Sequence, residues 1–173
     1  VFKHAKNRIL WLLILMLSAT ITGGIITKYE EAFATVPLLV AFIPMIMGTG
    51  GNCGSQSSTL IIRGLATDEI KLNDVFRALW KEFRVSVIVG IILAIVNAIR
   101  ILILYKNSQL ALVIGFTLIA TVMLAKALGC LLPLLAKRFK LDPAIMASPL
   151  ITTLVDIFSI LVYFQIATAI MGL

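Results

Sequence analysis

The chain contains five long apolar segments separated by short polar connections, and this pattern limits its fold more than any other feature. The segments span residues 9–27, 36–62, 85–105, 110–136 and 144–173. Each has the roughly 20 residues that a helix needs to cross a bilayer, and a helix satisfies its backbone hydrogen bonds internally, as hydrocarbon requires. Hydrophobic residues make up 61% and charged residues 13% of the 173 positions, whereas soluble domains average about 45–50% and about 25%. We therefore predict an all-α integral membrane fold of five transmembrane helices in a single unit.

The polar connections predict where helices begin and end. Asp142 followed by Pro143 is typical of a helix start, with Asp at the N-cap and Pro at the first helical position. Residues 28–31 and 106–108 predict short turns. Residues 67–84 mix apolar and charged side chains, which favours an amphipathic helix lying on the membrane surface.

Lysine and arginine side chains are unevenly divided between the two sides of this membrane domain. Eleven of them lie on the side of the N-terminus, namely Lys3, Lys6, Arg8, Arg63, Lys71, Arg77, Lys81, Arg84, Lys137, Arg138 and Lys140. The other side holds Lys28 and Lys106, with Arg100 about one turn inside the third segment. The positive-inside rule predicts a cytoplasmic N-terminus and an outer C-terminus, in a multi-pass protein of the cell (inner) membrane. The net charge of +7 reflects this topology, and nucleic-acid binding is not expected.

Asp156 lies deep within the fifth segment. It follows Asp142 by 14 residues, which is about 21 Å along a helix. A carboxylate at that depth is costly in hydrocarbon, and such side chains usually face a water-filled path. The alternative is a structural ion pair with Lys126, which lies at a similar depth in the fourth segment. We prefer the functional interpretation because the helical neighbours of Asp156 are also polar.

These neighbours share a helix face with Asp156, since residues three and four apart lie on one side. They are Ser148, Thr152, Thr153 and Ser159. Pro149 in the same helix frees a backbone carbonyl. Carboxylate, hydroxyl and carbonyl oxygens are hard ligands, which favour magnesium or calcium over copper or zinc.

Residues 48–64, GTGGNCGSQSSTLIIRG, crowd small and polar side chains into the second segment. The stretch lacks the sequence context of a phosphate loop or a dinucleotide fingerprint. Asn52, Ser55 and Gln56 are expensive in lipid unless they face a partner or water. Small residues four apart bring helix backbones close, and the pairs here are Gly51/Ser55 and Gly54/Ser58. The two cysteines, Cys53 and Cys130, show no CxxC spacing and are interpreted as reduced packing residues, neither disulfide nor metal site.

Two stretches of the chain, PLLVAFIPMIMGTGGNCGSQSSTLIIRGLA and LDPAIMASPLITTLVD, resemble the transmembrane domain of the MgtE magnesium channels. The resemblance covers nearly all of residues 1–173, with five helices in the same order. It implies a homodimer in the lipid bilayer, with a pore on the two-fold axis that is lined by the second and fifth helices. It also implies that Asp156 is the pore aspartate that holds a hydrated magnesium ion. The other positions that match the family's pore lining are Gly48, Gly51, Asn52, Ser55, Ser148 and Thr152.

The chain also departs from the family pattern. The family often has Asn at the positions of Ser55 and Ser148, and a small residue is common at that of Thr152. Lys126 is unexpected for the family, and we expect it to snorkel toward the cytoplasmic edge or to pack away from the pore. Family members usually carry a soluble N-domain and paired CBS domains before the first helix, where this chain has a short basic tail.

The ion is expected to pass in hydrated form, because magnesium sheds water reluctantly. We expect Mn²⁺ and Co²⁺ to compete with Mg²⁺, and Ca²⁺ to bind but to be poorly conducted. Asp142 lies within about 40° of the Asp156 face. Two interpretations of Asp142 stay open, an N-cap alone or a second, weaker ion site at the inner mouth.

Other function classes fit the sequence less well. An intramembrane protease needs Ser with His or two aspartates, but the only histidine is His4 in the tail and Asp156 is the single deep aspartate, so we do not expect an enzyme. A membrane carboxylate can also relay protons, which makes a proton-coupled divalent cation transporter the alternative to a channel. A passive assembly subunit, which would conduct nothing, is a third interpretation.

Overall fold

The computed structural model describes residues 2–140 and 142–172, and for residues 2–8, 10–11, 31–33 and 144–149 it describes the backbone alone. Within these residues the α-helices are α1 (Phe2–Lys28), α2 (Glu30–Thr35), α3 (Leu38–Ala66), α4 (Val75–Tyr105), α5 (Ser108–Arg138) and α6 (Pro143–Met171). A 3₁₀ turn at Leu72–Asp74 precedes α4. The described residues contain no strand, so the predicted all-α fold is confirmed.

Four helical stretches of the described chain are long and apolar enough to span a membrane. They are Leu38–Ala66, Leu72–Tyr105, Ser108–Arg138 and Leu150–Met171. The stretch Leu12–Lys28 of α1 is apolar but shorter. All five predicted segments are therefore helical, and four of them meet the length and composition that a membrane span requires.

α5 is the central helix of the domain and packs against α3, α4 and α6. At the end remote from the basic connections, the core contains fully buried side chains such as Leu39, Ile114 and Tyr163. The Tyr163 hydroxyl donates a hydrogen bond to the Leu39 carbonyl oxygen at 2.8 Å. This bond satisfies a hydroxyl that would otherwise be buried without a partner, and it joins α6 to the first turn of α3.

Residues 67–84 do not form the separate surface helix that their composition predicted. The connection after α3 turns at Asp68, which has a left-handed conformation with φ 57°. In the 3₁₀ turn that follows, the Lys71 N–H donates to the Asp74 carboxylate at 3.1 Å. α4 then begins at Val75 and continues without a break into the predicted third span. Because this helix contains no proline, nothing separates its charged first turns from its apolar part.

Of the other predicted helix boundaries, one differs from the structure and two agree with it. The turn predicted at residues 28–31 is shorter than expected, because α2 begins within it and ends two residues before a proline. The second turn is confirmed: Lys106 is left-handed with φ 50°, and the Asn107 side chain caps α5 by accepting from its third backbone N–H at 2.9 Å. α6 begins at Pro143, directly after Asp142, as predicted.

Candidate ion-binding site

The glycine-rich stretch of α3 has an inner face that packs against α5 and α6. A Cβ added at Gly50 would lie 2.7 Å from Val155 Cγ1, and one at Gly54 would lie 2.7 Å from Ile151 Cγ2. On α5, a Cβ at Gly129 would collide with the carbonyl oxygen of Gly54. Glycine therefore leaves room for the side chains of α6 at Gly50 and Gly54, and at Gly129 it lets the backbones of α3 and α5 approach closely.

The opposite face of the same stretch, which we call the uncovered face, is only partly covered by the described part of the chain. Gly48 and Asn52 are exposed, and Gly51 and Ser55 are half-buried. A Cβ at Gly48 would meet nothing within 4 Å, and one at Gly51 would meet only the Thr152 methyl group at 3.8 Å. The predicted packing pair of Gly54 and the serine four residues later is buried, whereas helix packing at Gly51 and Ser55 stays a prediction.

α6 brings Asp156 to the edge of this uncovered face. α3 and α6 run antiparallel where they touch, since later residues of α3 contact earlier residues of α6. Asp156 is one turn after Thr152, and Gly48 is about one turn before Gly51. The Gly51–Thr152 contact thus places Asp156 at the level of Gly48, beside open space. Asp156 is half-buried, and no described Lys or Arg forms a salt bridge with its carboxylate.

Two further predicted site residues lie closer to the start of α6. The side chain of Ser148 is outside the described residues. Asp142 is exposed immediately before the helix, about 21 Å from Asp156 along its axis. Both interpretations of Asp142 therefore stay predictions, as does the role of Ser148.

Lys126 pairs with a residue that the sequence analysis did not consider. Its ammonium lies 3.4 Å from Glu82 Oε2 and 3.2 Å from Ser57 Oγ. The Ser57 hydroxyl donates to the same Glu82 oxygen at 2.5 Å. Lys126 and Glu82 are both buried, with 5% and 6% of the whole residue exposed. The alternative of a Lys126–Asp156 ion pair is therefore wrong. Of the two positions expected for Lys126, snorkelling toward the cytoplasmic edge is not found, because Glu82 and Ser57 hold the ammonium, and packing away from the pore stays a prediction.

Glu82 was missed because residues 67–84 were assigned to a surface helix. A signal for its burial exists in the sequence: small or short polar residues follow it at four-residue intervals, at Ser86, Gly90 and Ala94. Positions four apart share one helix face, and all four of these residues are buried. At Gly90 an added Cβ would lie 3.1 Å from the Ile119 Cα of α5. This stripe is the surface through which α4 packs on α5.

The chemistry available to one chain at this site is limited. Asp156 supplies one carboxylate, and within the described residues no three His, Cys, Asp or Glu side chains come together as a metal cluster. Cys53 and Cys130 are free, buried thiols, in agreement with their predicted packing role. Within one chain, the described site therefore offers a single carboxylate beside the polar face of α3.

Comparison with known proteins identifies the family. The model of the MgtE family, described as a divalent cation transporter, matches residues 43–166. The chain belongs to the MgtE family. This match confirms the resemblance seen in the sequence motifs. Members of the family are transporters and not enzymes, as the sequence analysis expected.

Three curated relatives carry the name magnesium transporter MgtE. The protein of Bacillus subtilis is 39% identical over 165 residues, which cover 95% of this chain and 37% of that protein. The protein of Thermus thermophilus is 37% identical over 161 residues, covering 92% of this chain and 35% of that protein. The protein of Enterococcus faecalis is 32% identical over 169 residues, covering 98% of this chain and 37% of that protein. The chain spans little more than a third of the length of these relatives.

Proposed function

We propose that this chain moves Mg²⁺ across the membrane through a pore on the two-fold axis of a homodimer, with Asp156 binding the hydrated ion. The observation that carries the proposal is the uncovered face of α3, formed by Gly48, Gly51, Asn52 and Ser55, which lies beside Asp156. Polar side chains within a membrane span are costly unless they face a partner or water. A second copy of the chain across this face supplies both, because it encloses the polar groups around a hydrated path.

Dimerisation also supports the choice of ion. One chain offers a single carboxylate at this level, whereas two copies related by a two-fold axis offer two, which balance a 2+ charge. Magnesium usually keeps several waters when it is bound. Hydroxyl and amide groups such as those of Ser55 and Asn52 can accept or donate hydrogen bonds to that water shell. The names of the three curated relatives agree with magnesium as the transported ion.

Selectivity in such a site depends on the size and rigidity of the hydrated ion. Mn²⁺ and Co²⁺ have hydration geometries that resemble that of Mg²⁺, so they compete for the pathway, whereas Ca²⁺ takes more ligands in a more flexible geometry. The eleven basic residues on the side of the N-terminus favour a cytoplasmic N-terminus and an outer C-terminus. The protein then belongs to the cell (inner) membrane.

Replacement of Asp156 tests the proposed pore. Asp156→Asn removes the negative charge with almost no change in side-chain volume. We expect Mg²⁺ uptake into proteoliposomes to fall to the level of protein-free liposomes, because the neutral amide no longer attracts the hydrated cation. The measurement is the fluorescence of a Mg²⁺ indicator trapped inside the liposomes, at matched protein density.

Asp68→Asn is the matched control. It makes the same chemical change at an exposed turn residue, and Asn tolerates the left-handed conformation found there. Flux through this control should equal that of the unsubstituted protein. Flux of Asp156→Asn at the unsubstituted level would exclude the pore assignment. Flux that requires an imposed pH gradient would instead favour the proton-coupled transporter.

A further inference from the structure

A large open cavity lies on the side of α3 and α4 that faces the basic connections, away from the proposed pore. Its volume is about 880 Å³. The end of α3, the connection after it and the first turns of α4 form its walls, and Lys126 of α5 also lines it. The proposed ion pathway leaves this space unexplained.

The cavity carries an excess of positive charge. Five basic and three acidic residues line it. Lys126 and Glu82 neutralise each other, and the Asp74 carboxylate accepts a hydrogen bond from the Lys71 backbone. The remaining basic side chains are exposed and form no salt bridge with any described residue; they are Arg63, Arg77, Lys81 and Arg84. The third acidic residue of the lining, Glu69, is also exposed, so the lining has a net charge of +2 (five basic minus three acidic residues), which favours an anionic ligand.

An apolar groove between α4 and α5 lies next to the cavity. It has a volume of about 270 Å³ and is lined by Phe76, Leu79, Trp80, Phe83, Met123 and Ala127. Trp80 lines both the groove and the charged cavity. Phe76 is 81% exposed and Trp80 is 53% exposed, so the groove is open to its surroundings. A charged cavity and an apolar groove that meet at one tryptophan match a ligand with an anionic head and an apolar tail.

We propose that this composite site binds an anionic glycerophospholipid, with its phosphate in the cavity and an acyl chain along the groove. The level of the composite site in the membrane agrees with a lipid ligand, because arginine, lysine and tryptophan concentrate at the level of lipid headgroups. Basic pockets between transmembrane helices are also known to hold anionic headgroups. A soluble phosphate compound would occupy the cavity but leave the groove uncovered. The lipid is retained from the leaflet that faces the basic connections.

Native mass spectrometry of the detergent-purified full chain tests this site. The probes are phosphatidylglycerol, phosphatidylcholine of the same acyl chains, and inorganic phosphate. We expect phosphatidylglycerol to remain bound at activation energies that strip phosphatidylcholine, and excess inorganic phosphate not to displace it. Each basic contact near an anionic surface contributes about 1 kcal/mol, or about fivefold in affinity. Arg63→Gln/Arg77→Gln should therefore weaken phosphatidylglycerol binding about 25-fold.

The controls separate this site from general surface charge. Arg138→Gln removes a cation at the end of α5 that does not line the cavity, and it should retain the affinity of the unsubstituted chain. Phe76→Ser alters only the groove and should weaken the phospholipid without changing the binding of inorganic phosphate. Asp156→Asn should bind the lipid normally, so failure of the proposed pore would not alter this result.

Three results would overturn the lipid assignment. Equal retention of phosphatidylglycerol and phosphatidylcholine by the unsubstituted chain would do so without any variant, even if the double substitution failed to fold. Displacement of the lipid by inorganic phosphate would indicate a soluble anion as the occupant. Disulfide formation between copies that carry Arg77→Cys would place a second chain over the cavity.

Discussion

The buried ion pair between Lys126 and Glu82 provides a quantitative test of how α3 is held. The ammonium nitrogen and carboxylate oxygen are 3.4 Å apart, and the side chains are 6% and 8% exposed. At an effective dielectric constant of about 20, attraction over this 3.4 Å is about 5 kcal/mol. Removing both ions from water costs several kcal/mol each, so the net contribution of the intact pair is small. Removal of one partner, however, leaves an uncompensated buried charge, at a cost of about 3–5 kcal/mol.

We therefore expect Lys126→Met and Glu82→Leu each to lower the free energy of unfolding by about 3–5 kcal/mol. The double variant Lys126→Met/Glu82→Leu removes both charges and fills the space with apolar atoms. It should stay within about 1 kcal/mol of the unsubstituted chain, because replacing a whole buried pair is often neutral or stabilising. The assay is equilibrium unfolding in mixed micelles of mild detergent and SDS, followed by tryptophan fluorescence.

A control variant and two unfolding results decide whether the charges of Lys126 and Glu82 are coupled. Lys81→Met removes an exposed cation directly before Glu82 in α4 and should change stability by less than about 0.5 kcal/mol. A double variant as unstable as the sum of its two single variants would show that the charges are not coupled. Single variants that cost less than about 1 kcal/mol would show that water reaches the pair, contrary to its burial.

Three further results are expected. Gly129→Ala should destabilise the fold by about 1–3 kcal/mol in the same unfolding assay, because the new methyl group would meet the Gly54 carbonyl oxygen. Gly115→Ala is the control and should not destabilise the fold, because its Cβ would lie an ordinary 3.8 Å from a side chain; equal effects of the two substitutions would contradict the close approach of α3 and α5. In a background without the native cysteines, Asn52→Cys should form a disulfide between two copies in native membranes, and Ile95→Cys on the exposed surface of α4 should not; transport without any such dimer would place the pathway within one chain. External Mn²⁺ and Co²⁺ should reduce Mg²⁺ uptake into proteoliposomes more than Ca²⁺ does, and conduction of Ca²⁺ at the rate of Mg²⁺ would contradict recognition through the water shell.

Hydropathy alone predicted most of the helical architecture, since the bilayer requires long apolar helices and the chain interrupts them with short polar connections. The start of α6 at Pro143 was also predictable, because Asp followed by Pro is a local signal for a helix start. The course of residues 67–84 could not be predicted from the sequence. Charged residues at intervals are typical of a solvated helix face, and the partner that buries Glu82 is Lys126, which lies 44 positions away in sequence. Only tertiary packing brings these two residues together.

The residues of the candidate site could be predicted from the sequence, but their packing could not. Its residue types indicated polar contacts within a membrane span, and the family motifs selected Asp156 and the α3 positions. The division of the glycine-rich stretch into two faces was not apparent, because glycines at successive positions have no distinguishing side chain. Gly50 and Gly51 are neighbours, yet a Cβ at Gly50 would collide with α6 and one at Gly51 would not. The packing partner, not the residue type, assigns each glycine its role.

The two faces of α3 constrain each other because they alternate along the same turns. Ser57 on the inner face is tied to α4 and α5 through Glu82 and Lys126, while Asn52 and Ser55 lie toward the uncovered face within the preceding turns. The inner glycines bring α3 into close contact with the branched side chains of α6 and with the backbone of α5, and such contacts are more rigid than contacts between long side chains. A site that recognises an ion through its water shell needs its polar atoms held to within about 0.5 Å. Close packing behind α3 therefore gives a physical reason for the inner glycines, Gly50 and Gly54, while the proposed pathway accounts for the small and polar residues of the other face.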